Sequence, residues 1–233
     1  MSAVAIMQPY LLPYIGYWQL LLASDCFVIY DDVNYINRGW INRNRILIND
    51  EPGLITLPLL RASQNRKINE IKIAPTEQWQ RRMLASVEMA YRKAPCFDQV
   101  LPLVERILNY ENNNLAQFLT HQIQALANFM GLKTRIVPSS QVYGNAHLTA
   151  QERILDICRQ EGATRYINAQ GGQSLYQPSA FANAGIDLKF IAMQPLPYRQ
   201  RGKAFTPYLS IIDTLMEVGT EGIGPHLAAY DYL

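Results

Sequence analysis

Three short segments concentrate side chains that form directed hydrogen bonds. Gln8-Pro9-Tyr10, Asp31-Asp32-Val33-Asn34 and Asn168-Ala169-Gln170-Gly171-Gly172 each follow an apolar run. Asp31 and Asp32 carry carboxylates able to bind a metal, orient a ribose or take a proton. Neighbours on a strand point to opposite sides, so the expected division is one aspartate capping a turn and one facing a ligand. Tyr10 joins them as a candidate catalytic group. Gly171-Gly172 precedes a helix expected near Ser174, where bare backbone N–H groups suit a phosphate or carboxylate. The plain alternative is a tight strand-to-helix turn. The pattern matches neither of the common glycine-rich nucleotide loops.

A second concentration follows at once: Arg38, Trp40, Asn42, Arg43, Asn44 and Arg45. On a strand, Trp40, Asn42 and Asn44 share one face while Arg43 and Arg45 share the other. Two arginines on one face can clamp an anionic group bidentately. A solvated face on a β insertion is the competing account. Near the other end, Ser210-x-x-Asp213 has the spacing of a capping box, behind the loop cations Arg199, Arg201 and Lys203. The expectation is that Asp213 returns its bond to the helix start while the cations meet ligand.

These groups need elements to hold them. Ala3 to Met7 and Cys26 to Tyr30 are apolar runs expected as buried strands, with a nearly all-apolar helix from Leu11 to Ser24 between them. That order implies a parallel β-α-β unit. Short strand-like segments at Trp40–Ile48, Leu54–Leu59 and Ile68–Ile73, parted by turn residues, suggest antiparallel pairing. Helices are expected from Thr76 to about Lys93, from Phe97 to Asn109 and from Leu115 to Met130, the last capped by Gly131. Strands at Thr134–Val137, Tyr166–Asn168 and Leu188–Ala192 then alternate with helices at Thr149–Glu161, Ser174–Ala184 and Ser210–Val218. Thr149-x-x-Glu152 also fits a capping box.

The fold class expected is α/β: a mostly parallel, three-layer, Rossmann-like sheet with a small antiparallel β insertion and a helical segment. The chain, 1–233, is expected to form one domain, with the insertion at 36–75 and the helical segment at 76–131. Ligands of open parallel sheets bind beyond the carboxyl ends of the strands, so the three polar segments should converge on one rim. Gln8, Tyr10, Asp31, Asn34, Asn168 and Gly172 are therefore expected in one concave site.

Composition narrows the classes. With 49% hydrophobic and 17% charged residues and a net charge of +2, the chain has ample material for a core. It holds no uncharged apolar run of about 18 residues, so no membrane span is expected. The start lacks a basic, cleavable leader pattern, and Cys26, Cys96 and Cys158 show neither disulfide nor zinc spacing, which suggests a cytoplasmic protein without a metal site. A pI near 8.4 falls short of a nucleic-acid binder. His121, His147 and His226 have no partner at ligand spacing, and no hydrolase signature occurs. The 14 tyrosines and many amides instead suit a small molecule bound through directed hydrogen bonds.

Longer motifs add to this. Met7-Gln-Pro-Tyr-Leu-Leu-Pro-Tyr-Ile-Gly-Tyr-Trp-Gln-Leu-Leu21, Phe27-Val-Ile-Tyr-Asp-Asp-Val-Asn-Tyr35 and Gly39-Trp-Ile-Asn-Arg-Asn-Arg-Ile46 closely resemble the WbqC-like family. So do Tyr166-Ile-Asn168, Gly171-Gly-Gln-Ser-Leu-Tyr176, Gly185-Ile186 and Phe205-Thr-Pro-Tyr-Leu-Ser-Ile-Ile-Asp213. The resemblance spans nearly the whole chain. It implies a role near sugar-nucleotide or glycan-precursor modification, as in bacterial O-antigen-type gene clusters. A weaker resemblance links Tyr14-Ile-Gly16-Tyr17 to the His-x-Gly-His motif of certain nucleotidyltransferases. Tyrosines replace both histidines, and a tyrosine does not become cationic, which argues against adenylyl transfer by that route.

The resulting expectation is a transferase-type enzyme that moves an acyl or aminoacyl group on an anionic or nucleotide-linked small molecule. Its competitor is a non-catalytic protein that binds the same intermediate. Asp31, Asp32 and Tyr10 are the catalytic candidates. Gln8, Tyr14, Gly16, Tyr17, Asn34, Trp40, Asn42, Arg43, Arg45, Asn168, Gly171, Gly172 and Tyr176 are the binding candidates. No cofactor and no oligomeric state can be read from these motifs.

Overall fold

The computed structural model describes residues 2–75, 78–201 and 204–233. In chain order it holds β1 (Ala3–Met7), α1 (Ile15–Leu22), β2 (Cys26–Ile29), β3 (Arg43–Ile48), β4 (Glu51–Thr56), β5 (Leu59–Leu60) and β6 (Lys72–Ile73). There follow α2 (Trp79–Tyr91), α3 (Phe97–Leu108), α4 (Leu115–Phe129), β7 (Arg135–Val137), α5 (Ala150–Gln160) and β8 (Arg165–Ala169). The chain closes with α6 (Pro178–Asn183), β9 (Asp187–Met193), α7 (Ile211–Ala228) and β10 (Tyr230–Tyr232).

Alternating side chains set the layers. In β1, Ala5 enters one hydrophobic cluster while Val4 and Ile6 enter another; in β2, Phe27 and Ile29 take the first side and Cys26 and Val28 the second. Strands apolar on both faces must be covered on both. Residues of α1, α3, α4 and α7 cover one face, and α5 with Phe181 of α6 covers the other.

Six strands form the central sheet in the order β10-β9-β8-β1-β2-β7, parallel except for β10, which runs against β9. The chain works outward through β1, β2 and β7, then returns to lay β8 and β9 on the opposite side of β1. Strand order reverses between β1 and β8, the place where open α/β sheets leave a crevice. The mostly parallel α/β sheet expected from the sequence is the observed one. The smaller sheets β3–β4 and β5–β6 are both antiparallel. Asn49 and Asp50, at φ 53° and 65°, make the two-residue turn of the first hairpin, a geometry these residue types tolerate.

Several elements depart from expectation. The helix expected from Leu11 begins only at Ile15, because the preceding loop has other partners. Asn44 Nδ2 donates to the carbonyls of Leu11 and Leu12 (2.9 and 2.7 Å), and Gln122 Oε1 accepts from Leu12 N (3.0 Å). After β8 the chain makes a 3-10 turn over Gln170–Leu175, and α6 waits until Pro178, whose ring disfavours helix at Gln177. Ile68–Glu70 is likewise a 3-10 turn rather than strand. No Thr149 side-chain bond caps α5. The final helix passes a break at Gly219 (φ 65°) and leads to the unanticipated β10. Thr76, the expected start of α2, lies outside the described residues, as does Lys203.

Candidate functional site

A cavity of about 440 Å³ opens at the strand-order reversal. Met7 closes β1 beneath it and Ala169 closes β8. Tyr10, Tyr14, Gly16 and Tyr17 line it from the loop and first turn of α1, Trp40 and Arg45 from the approach to β3 and from β3 itself, and Tyr208 from the loop before α7. The volume lies in the range that takes a small organic ligand.

Local sequence explains the walls. Gly16 has no room for a side chain: a Cβ there would lie 2.5 Å from the Tyr14 ring, so glycine lets that ring fold over the helix start. Tyr14 meets Tyr208 edge to face at 6.0 Å, and Tyr10 meets Tyr17 at 5.8 Å. No side chain of its N-cap Tyr14 caps the first turn of α1, and Gly16 and Tyr17 of that turn line the cavity, which sits near the positive end of the helix dipole. Arg45 lies over the Trp40 ring at 5.5 Å.

Two lining residues hold buried polar atoms without a hydrogen-bond partner among the described residues, Tyr17 Oη and Arg45 Nε. Buried donors in native proteins are nearly always satisfied, so two orphans on residues of one cavity mark it as a candidate ligand site. Burial, with help from neighbouring Tyr14, pushes the Tyr10 phenol up to about 12, and burial pushes Tyr17 well above the usual range. At neutral pH these phenols donate hydrogen bonds; they do not act as bases.

Six of the expected site residues therefore line this cavity: Tyr10, Tyr14, Gly16, Tyr17, Trp40 and Arg45. The others go elsewhere. Asp32 is held by Arg153 of α5, whose Nη2 donates to both carboxylate oxygens at 2.6 Å, with each side chain about 5% exposed or less. Asp31 accepts from Ser139 Oγ (2.8 Å) and Ser140 N (3.1 Å) and lines a different cavity between the ends of β2 and β7 and helix α4. Burial raises its carboxyl above the ordinary range while those hydrogen bonds pull it back.

Asn34 bridges to Lys67, and Asn42 accepts from Tyr35 Oη (2.7 Å) and donates to Leu57 O (2.9 Å). Arg43 spends its Nε on Gly39 O (2.9 Å) and its Nη2 on Arg38 O. It shares the strand face of Arg45, and both guanidiniums lie within 6 Å of Trp40, which sits outside the strand instead of opposite them. Asn168 Nδ2 donates to the phenols of Tyr166 and Tyr176, both 3.0 Å away. Gly172 packs against that asparagine, where a Cβ would lie 3.1 Å from Nδ2, and Gly171 stands in the same 3-10 turn. Gln8 is half-buried after β1. The strands that Asp31 and Gly171 follow both flank β1, yet the polar groups of the three loops serve separate partners.

Tyr208 went unnoticed in the sequence, although Thr206-Pro-Tyr-Leu before a helix cap hinted at a built loop. Arg153 was missed too, and its signal is a lone cation among Ile154, Leu155, Ile157 and Cys158. Arg201 of the loop cations faces Glu217 at 3.4 Å. Among the described residues no group of three or more histidines, cysteines or carboxylates could hold a metal, and no helix is long and apolar enough to cross a membrane.

The sequence pattern of the WbqC-like protein family matches residues 8–224. The chain is also 30% identical over 224 residues to a Mycobacterium tuberculosis (strain ATCC 25618 / H37Rv) protein named uncharacterized protein Rv1507c, covering 95% of this chain and 96% of that one. No solved structure matches it significantly.

Proposed function

The chain belongs to the WbqC-like protein family, and from that premise we propose that it is a cytoplasmic, transferase-type protein of cell-surface polysaccharide assembly. Its substrate is a nucleotide-linked sugar or related glycan precursor held in the switch-point cavity. The acyl or aminoacyl transfer expected of it takes place there. The observation that carries the reading is the pair of orphaned donors, Tyr17 Oη and Arg45 Nε, around a cavity with aromatic walls. Aromatic rings suit the face of a base or sugar, and a guanidinium beside a helix N-terminus suits the phosphates.

The chemistry the cavity supports is positioning. Arg45 and the α1 N–H groups hold and neutralise an anionic group, and Tyr10, whose proton stays on at neutral pH, donates to an oxygen gaining charge. Among the described residues no histidine or carboxylate lines this cavity, which favours a second reading in which the protein recognises the intermediate without changing it. Incubating the protein with nucleoside diphosphate amino sugars and acyl or aminoacyl donors, followed by mass spectrometry, separates the two. A donor-dependent mass gain on the sugar supports transfer. Saturable binding without product supports recognition alone. Absence of binding by every nucleotide sugar rejects both.

A further inference from the structure

A second cavity, of about 390 Å³, lies beyond the ends of β2 and β7 against helix α4. Polar side chains and apolar surface share its lining; Asp31, Asn69, Asn114, Gln117, His121 and Gln124 are the principal polar groups. Asp31 uses Oδ1 for its bonds to Ser139 and Ser140, and Oδ2 accepts none among the described residues. Asn69 Nδ2 is buried without a partner. The side chains of His121 and Gln124 also have no hydrogen-bond partner among the described residues, so residues of this lining keep both donor and acceptor capacity unused.

One wall is aromatic. The His121 ring stacks on Tyr110 with centroids 3.8 Å apart and planes 10° from parallel. Among the described residues no lysine or arginine lines the cavity. Burial, together with nearby Arg106, lowers the His121 pKa, so this imidazole is neutral near pH 7. The first cavity supplies an arginine and a helix start; this one supplies a carboxylate, amides and a flat ring. An anionic ligand would meet the Asp31 carboxylate without compensation. A hydroxyl-rich ring fits: vicinal hydroxyls donate to a carboxylate, accept from amides and leave an apolar face for an aromatic wall.

We infer that this cavity is a separate binding site for an uncharged pyranose, with Asp31, Asn69 and Gln124 holding the hydroxyls and the Tyr110–His121 stack meeting the ring face. The inference rests on the glycan-precursor reading and adds to it a second, nucleotide-free sugar site apart from the switch-point cavity, and its test uses no nucleotide. Methyl glycosides of glucose, galactose, mannose and N-acetylglucosamine, titrated into the whole protein by saturation-transfer NMR and calorimetry, are the probes.

At least one should bind saturably, shift the His121 ring protons and resist competition by inorganic phosphate. Gln124→Ala removes a half-buried side chain without a protein partner and should preserve the melting temperature. It should weaken the bound glycoside about tenfold, the scale of one lost hydrogen bond. Asp31→Asn should weaken it further, and its melting temperature reports any damage to the Ser139–Ser140 turn. Arg45→Ala should leave glycoside binding unchanged while weakening nucleotide sugars. No saturable binding of any glycoside, or binding that survives Gln124→Ala and is lost with Arg45→Ala, would overturn the inference and leave the switch-point reading standing.

Discussion

Asp213, in the first turn of α7, accepts a hydrogen bond from Tyr91 Oη at 2.8 Å, across 122 residues of chain. Its other oxygen accepts from Tyr198 Oη (2.7 Å) and Gln200 Nε2 (2.8 Å). Ser210 caps the helix as its spacing suggested, its Oγ accepting from Ile212 N at 3.2 Å. Asp213 does not close the box; it holds α2 to α7 and pins the loop that carries Tyr208 to the switch-point cavity.

Replacing Asp213 with alanine leaves the buried Tyr91 hydroxyl without an acceptor, while Tyr198 and Gln200 each lose one acceptor and keep Thr214 Oγ1 and Thr206 O. That orphan costs about 1–3 kcal/mol, so chemical denaturation of Asp213→Ala should show a loss of about that size. Nucleotide-sugar binding should fall as well, because Tyr208 loses its anchor. Wild-type stability in this variant would refute the role.

The same carboxylate sets a pH dependence. Burial holds its folded pKa above the ordinary value, against the three hydrogen bonds that lower it. A raised acid binds its proton more tightly in the folded state, so its contribution is fullest below the ordinary carboxylate range and is lost as pH rises through the folded value. The stability difference between wild type and Asp213→Asn should therefore move toward wild type on acidification from neutral pH. Urea titrations at a series of pH values measure it; a difference moving the other way contradicts the assignment.

Asp32 and Arg153 form a desolvated pair, with the guanidinium also 5.0 Å from the Tyr30 ring. Arg153→Ala strands a buried carboxylate and should cost about 3–5 kcal/mol. The double substitution Asp32→Leu, Arg153→Leu should recover much of that loss. If it does not, the bonds of the pair to Ser140 and Asn145 carry more of the stability than the ion pair itself.

Arg45→Ala should weaken nucleotide-sugar binding by about 1.5–3 kcal/mol, the range for a charge-assisted hydrogen bond. Arg43→Ala should lose less, because its Nε and Nη2 already serve the carbonyls of Gly39 and Arg38. Calorimetry on both variants decides; equal losses would mean that Arg43 also reaches the ligand.

Gly16→Ala pits a small helix-propensity gain of up to about 1 kcal/mol against a clash with the Tyr14 ring. The ring is the movable partner, so the melting temperature should hold while ligand affinity falls. A folded variant that binds as wild type would show that Tyr14 is not a wall of the site.

How far the chain could be read without its fold differs between backbone and side chains. β1, β2, β8 and β9 were legible because runs such as Ala-Val-Ala-Ile-Met and Cys-Phe-Val-Ile are apolar on both faces and suit a doubly covered sheet. With the elements in order, the Tyr10–Tyr17 segment could be placed beyond the strand ends, and it lines a cavity there. The polar side chains were not legible in the same way. Asp31 and Asp32 are adjacent and chemically identical, yet one faces a cavity and the other a guanidinium 121 residues away. Asn168 and Asn42 have the chemistry of ligand contacts, but phenols and a distant carbonyl take their bonds. Apolar patterning is local because burial depends on which face a residue occupies. A hydrogen bond is short and directional, so its partner is decided only when distant segments are brought to within about 3 Å.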